Sequence, residues 1–211
     1  MRKSDLSVDR LAATALAVLI CVAPAGVWAQ TDPARGLYIG GGIGQSDATD
    51  GCDVSGTVLS NCDTDGTAWK AYGGYQINKW LGAELSYLKF ADVDTSGTAS
   101  GVPFSATTET WGIGAHAVGQ IPIPLDVAVL NKISILGKIG AVRWDQDRNS
   151  SLAALSGDDT GWTFAWGFGL QYTFSERLGL RAEWEQFNDV GDASTGESNI
   201  QMWNVGLNFK F

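Results

Sequence analysis

From Met202 to Phe211 the chain alternates in character at every position. Trp203, Val205, Leu207, Phe209 and Phe211 fall on one side, and Met202, Asn204, Gly206, Asn208 and Lys210 on the other. Successive side chains of an extended chain point to opposite faces, so this period predicts a strand with one apolar face. The same pattern recurs upstream. Leu37, Ile39, Gly41 and Ile43 mark a first strand, Trp69 to Ile77 a second, and Leu81, Ala83, Leu85 and Tyr87 a third. Trp111, Ile113, Ala115 and Ala117 carry a fourth, and Ile133, Ile135, Gly137 and Ile139 a fifth. The sixth has the strongest apolar face, Trp162, Phe164, Trp166, Phe168, Leu170 and Tyr172, and the seventh shows Leu178, Leu180, Ala182 and Trp184. Asn78-Lys79 and Ser175-Glu176-Arg177 read as tight turns. Longer polar stretches, including 91–106, 145–159 and 188–198, read as loops.

About eight strands of roughly ten residues, joined alternately by long polar loops and short turns, suit a closed antiparallel sheet. Period two alone does not say whether the apolar face meets lipid or a dry core. The opposite face decides it. Its Gly, Lys, Glu, Arg and Gln would line a dry soluble core badly, whereas a lipocalin-like barrel would bury the apolar set inward. No apolar stretch after residue 29 reaches the ~20 residues of a spanning helix, so a spanning chain must close into a barrel. The predicted fold is all-β: an eight-stranded antiparallel transmembrane β-barrel with four longer extracellular loops and short periplasmic turns.

Composition agrees. The chain of 211 residues holds 27 Gly and 9 Trp against 5 Pro, which fits a crowded lumen and aromatic girdles. A formal charge of -9 excludes an electrostatic nucleic-acid binder. Arg2, Lys3 and Arg10 precede the apolar run 11–22, and Val27-Trp28-Ala29 places small residues where a signal peptidase reads them. Residues 1–29 are therefore predicted to be a cleaved signal peptide, and 30–211 the barrel domain. Cleavage leaves Cys52 and Cys62, close together in one polar stretch of an exported chain, where a disulfide is favoured over a metal site. Closing that loop would contribute about 2–3 kcal/mol.

Three segments carry a family resemblance: 70–87 (KAYGGYQINKWLGAELSY), 178–187 (LGLRAEWEQF) and the closing WNVGLNFKF. Together they resemble the transmembrane domain of the OmpA-like outer-membrane barrel family. The resemblance implies the outer membrane of a Gram-negative bacterium. It also implies a terminal aromatic, Phe211, acting as the insertion signal for the barrel-assembly machinery. Many family members add a periplasmic peptidoglycan-binding domain, which is not expected here.

The inward register collects Lys70, Glu84, Lys138, Arg181, Glu183 and Glu185. Ionised groups in a lumen just wide enough for its own side chains need partners, so an internal salt-bridge network is expected. The resemblance offers a second use, a gate that opens a small pore when such pairs rearrange, with Glu84, Lys138, Arg181 and Glu183 the candidates. Enzymes on small barrels need a nucleophile and a base. The only histidine is His116, and the motif of outer-membrane lipid A deacylases, His followed two positions later by Ser, is absent because Val118 stands there, so no catalytic residue is assigned. Asn61-Cys62-Asp63-Thr64-Asp65-Gly66 partly matches a calcium loop, but Tyr72 stands where its bidentate Glu belongs. No metal or cofactor is expected. Asp47, Asp50, Asp53, Asp145, Asp147, Asp158 and Asp159 make the loops acidic. The expected role is structural and surface contact, with a pore for ions or small apolar solutes as the alternative. Expected partners are outer-membrane lipid, lipopolysaccharide and a host or phage surface.

Overall fold

A computed structural model describes residues 35–49, 52, 57–123, 132–191 and 197–211. The strands are β1 (Gly36–Ala48), β2 (Thr57–Asp63), β3 (Asp65–Gln76), β4 (Leu81–Lys89), β5 (Val93–Ala99), β6 (Val102–Pro122), β7 (Ile133–Ser150), β8 (Gly157–Thr173), β9 (Leu178–Val190) and β10 (Ser198–Lys210). Eight of them pair in the ring β6-β4-β3-β1-β10-β9-β8-β7, and the pairing of β7 with β6 closes it. All these pairings are antiparallel. First and last strands meet in register, with Gly42 opposite Gly206 and Ile43 opposite Val205. Among the described residues no helix is long and apolar enough to cross a membrane.

Each barrel strand puts its apolar set outside. Ile43 is 64% exposed, Leu85 59% and Trp203 61%. The exposed apolar positions continue right around the barrel, far beyond the few hundred Å² that a water-soluble monomer tolerates. Aromatics flank this band at both levels. Tyr75, Trp80, Phe174 and Phe209 lie at the turn end, while at the loop end Tyr87 stacks on Trp111 and meets Trp69 at a tilt.

The short turns are built by their own side chains. Asn78 Oδ1 accepts the Trp80 and Leu81 amides at 2.8 and 3.0 Å, and the Asn78 amide itself donates to the Leu81 carbonyl. Ser175 Oγ accepts the Arg177 and Leu178 amides in the equivalent turn. Side chains of this kind satisfy backbone donors that a tight reversal leaves open. Asn78→Ala is expected to destabilise the barrel by about 1 kcal/mol, read as a lower urea midpoint for detergent-refolded protein; an unchanged midpoint would remove this role from Asn78.

Three strands run far beyond the expected length of roughly ten residues. β6 has 21, β7 has 18 and β8 has 17. At about 3.3 Å per residue, β6 runs for about 70 Å, more than twice a hydrocarbon core of about 30 Å. Its upper part stays paired with β7 and carries the sheet on outside the ring. β5 pairs with β6, and β2 pairs with β5. The stretches read as polar loops at 91–106 and 145–159 are thus largely strand. Ser100 (φ 51) and Gly101 (φ 82) make the two-residue reversal between β5 and β6, which favours left-handed residues at both positions. These strands carry polar side chains on both faces, so no apolar period marks them. They are held by backbone pairing along the hairpins.

Candidate functional site

The lumen is the site, and three levels divide it. Inward positions on the middle of β3, β4, β7 and β9 bring Lys70, Glu84, Lys138, Arg181, Glu183 and Glu185 into one cluster, with side chains 0–4% exposed. Lys138 Nζ lies 3.0 Å from Glu84, 2.7 Å from Glu185 and 3.4 Å from Glu183. Lys70 pairs with Glu185 at 2.5 Å and also with Glu183. Arg181 reaches Glu84 at 2.7 Å and Glu183 at 3.7 Å. Three cations thus meet three carboxylates, and the cluster is neutral as a whole. Each charge touches at least two of opposite sign, which is what taking it out of water requires.

Local sequence explains how such long side chains fit. Arg181, Glu183 and Glu185 sit at alternate positions of β9, so all three point inward. Their partners across β8 include Gly169 for Glu183 and Gly167 for Glu185. A Cβ at Gly169 would lie 2.9 Å from Glu183 Cγ, and one at Gly167 would lie 3.0 Å from Glu185 Cγ. Two tyrosines complete the cluster, and sequence reading did not assign them to it. Tyr38 stands opposite Gly74 and Tyr72 opposite Gly40, each ring lying over its partner glycine. Tyr38 donates its hydroxyl to Glu84 at 3.2 Å, and the Arg181 guanidinium lies 4.9 Å from the Tyr72 ring centre. The inward Tyr–Gly cross-strand pairs were the signal available in the sequence, once register was known.

His116 is buried beside Glu84, its partner across β4, and is packed between Gly114 and Gly140. Neither ring nitrogen nor the Ser86 hydroxyl on the neighbouring strand makes a hydrogen bond to a described residue. Among the described residues no nucleophile–base hydrogen bond is made at this histidine.

Directly above the charges lies an apolar layer of the lumen. This corrects the expectation that the inward face is small or polar throughout. Leu88, Phe90, Val142, Trp144, Phe187 and Met202 form one buried cluster. Phe90 and Phe187 meet edge to face with ring centres 4.9 Å apart, and the Trp144 indole covers Gly161, its partner on β8. Below the charges lies a cup of about 240 Å³, open at the turn end and lined by Tyr38, Gln76, Gln120, Gln171, Arg181 and Asn208. Gln171 joins cup to cluster by accepting from Arg181 Nε at 3.4 Å.

The loop-end sheet is acidic. Asp147 stands opposite Asp158, and burial together with the Asp147 carboxylate holds the Asp145 carboxyl above its ordinary value. Asn61 to Asp63 lie on β2 and Asp65 to Tyr72 on β3, so the partial calcium motif is extended chain. Among the described residues no group of three acidic, His or Cys side chains is placed to hold a metal ion. Cys52 and Cys62 form the expected disulfide, with Cα atoms 6.0 Å apart. Phe211 is exposed, its ring against Phe209 and its amide donating to the Leu37 carbonyl. The segment 1–29 predicted to be a signal peptide, Asp50, Asp53 and most of the β6–β7 connection lie outside the described residues.

A family model for the outer membrane protein beta-barrel domain matches residues 13–211. The chain belongs to this outer-membrane β-barrel family. It lies in the bacterial outer membrane, with the turn end periplasmic and the long-strand end outside. It is 27% identical to outer membrane protein A of Klebsiella aerogenes over 94% of this chain and 55% of that protein. The chain spans about half the length of the curated relatives it matches. Among solved structures it resembles neisserial surface protein A (TM-score 0.56, 15% identity, 83% of this chain and 97% of that one). It also resembles Ail, the attachment invasion locus protein of Yersinia pestis (TM-score 0.53, 17% identity, 84% and 99%). These structural likenesses bear on the fold of the outer-membrane barrel alone.

Proposed function

We propose that this outer-membrane barrel is a structural and surface-contact protein whose lumen does not conduct. The observation that carries this reading is the double closure of the lumen. A neutral cluster of fully buried charges and, above it, an apolar plug both occlude the path from the periplasmic cup. The part of the molecule offered to the surroundings is the acidic sheet of β2, β5 and the upper parts of β6 and β7. That sheet projects beyond the apolar band, where loops and edges of a rigid scaffold commonly meet partners. Lipopolysaccharide, bridged to the acidic side chains by divalent cations, and a host or phage surface are its proposed partners. The aromatic face of β10 up to Phe211 is the segment proposed to engage the barrel-assembly machinery.

The test is single-channel recording in a planar bilayer, with insertion established by heat-modifiable migration on a gel. Silence across an inserted population is the expected outcome. Steady unitary conductance of the wild-type protein would overturn the proposal. It would favour the second reading, a small pore gated by the lumen charges. One observation favours that alternative: Lys138 lies within 3.4 Å of three carboxylates, so its pairing can be exchanged without leaving it unpaired.

A further inference from the structure

The two ends of the barrel differ in charge and in how the charges are used. On the extracellular side acids dominate, among them Asp47, Asp94, Glu109, Asp145, Asp147 and Asp158. Of the cations there, Lys89 is tied down by Asp92 at 3.0 Å and Glu109 at 3.1 Å, Arg143 stands beside Asp145 and Asp147 on β7, and Arg148 is buried. At the periplasmic end the sign reverses. Arg35 precedes β1, Lys79 sits in the β3–β4 turn, Lys132 precedes β7 and Arg177 sits in the β8–β9 turn, and all four are exposed. Glu176 is the acid of this rim among the described residues, and Asp126 falls in the undescribed part of the β6–β7 connection. None of the four cations makes an ion pair with a described residue.

Their setting is amphiphilic. Trp80 and Phe174, next to Lys79 and Arg177 in the turns, are exposed aromatics at the lower edge of the apolar band. The Lys79 ammonium lies 5.0 Å from the Trp80 ring centre. Aromatic side chains of this kind settle at headgroup level. The cations beside them therefore stand at the depth of lipid phosphates, and they are spaced around the whole mouth.

We propose that this periplasmic collar, Arg35, Lys79, Lys132 and Arg177, binds the headgroups of anionic phospholipids in the inner leaflet and so holds the barrel at a set depth. A cation near an anionic lipid surface gains attraction that decays over a Debye length, and unpaired cations have the full effect available. The acidic outer end repels the same lipid, so the preference belongs to one rim.

Native mass spectrometry of protein released from mixed phosphatidylglycerol and phosphatidylcholine micelles tests this. Wild-type protein is expected to retain phosphatidylglycerol preferentially, and Lys79→Gln/Lys132→Gln/Arg177→Gln is expected to lose about tenfold or more of that preference. Lys89→Gln, at the opposite end, should leave it unchanged. A triple variant that is folded by heat-modifiable migration and still prefers phosphatidylglycerol as wild type does would overturn the proposal, as would a wild-type protein with no preference. Should the triple variant not fold, a salt titration of the wild type decides. Preference that falls steeply by 0.5 M NaCl, roughly where a Debye length shrinks to a few ångströms, supports the collar, and salt-independent retention overturns it.

Discussion

Lys138→Ala is expected to lower the stability of the folded barrel by about 3–5 kcal/mol, measured by urea unfolding in detergent micelles with tryptophan fluorescence. The reason is the environment left behind. Lys138 lies within 3.4 Å of Glu84, Glu183 and Glu185, all buried. Removing it leaves three carboxylates facing two cations in a space with little water to solvate the excess. The cost is therefore that of an uncompensated buried charge and exceeds the net worth of any one pair. Lys89→Ala is the control. Its partners Asp92 and Glu109 are about half exposed, and such pairs contribute about 0–1 kcal/mol. Neutralising a carboxylate together with the lysine, as in Lys138→Met/Glu185→Gln, restores the balance and should recover part of the loss. A Lys138→Ala midpoint equal to wild type would mean that the lumen charges are solvated, and would move the site towards the pore reading.

Phe187→Ala is expected to cost a similar amount, about 3–5 kcal/mol, by a different mechanism. Phe187 is fully buried within the plug, edge to face with Phe90, and strands tied into a closed ring of hydrogen bonds have little freedom to collapse onto the space. Conductance is expected to remain absent in this variant, because the charge layer beneath is intact. Steps that appear with Phe187→Ala alone would show that the plug is the barrier by itself and that the charge cluster passes ions. Truncating an outward aromatic such as Phe164, 54% exposed, leaves no internal cavity and should cost less in the same urea series.

Much of the lumen was legible because period two is an all-or-none signal. Once a strand has one apolar face towards lipid, every other residue must point inward, and Lys70, Glu84, Lys138, Arg181, Glu183 and Glu185 follow from counting. The plug was not legible in the same way. Met202 and Phe187 lie on the polar face of strands whose other inward members include Asn204, Asn208, Glu183 and Glu185. A strand gives the plug at most two inward apolar residues, such as Val142 and Trp144 on β7 or Ile200 and Met202 on β10, too short a run to mark an apolar face. Only when the strands are set side by side at their true heights do these residues gather at one level.

Sequence by itself thus determined which face of each barrel strand meets lipid, where the short turns fall, and which charges enter the lumen. Local geometry and the polarity of the two faces suffice for these. The tertiary structure alone decided the height at which each inward residue sits, because register between neighbouring strands and closure of β1 on β10 set it. It decided that Tyr38 and Tyr72 join the charges over glycines, and that an apolar layer lies above them. It also decided that β2, β5 and the long ends of β6 and β7 form a sheet outside the membrane, since strands polar on both faces are specified by the partners they pair with.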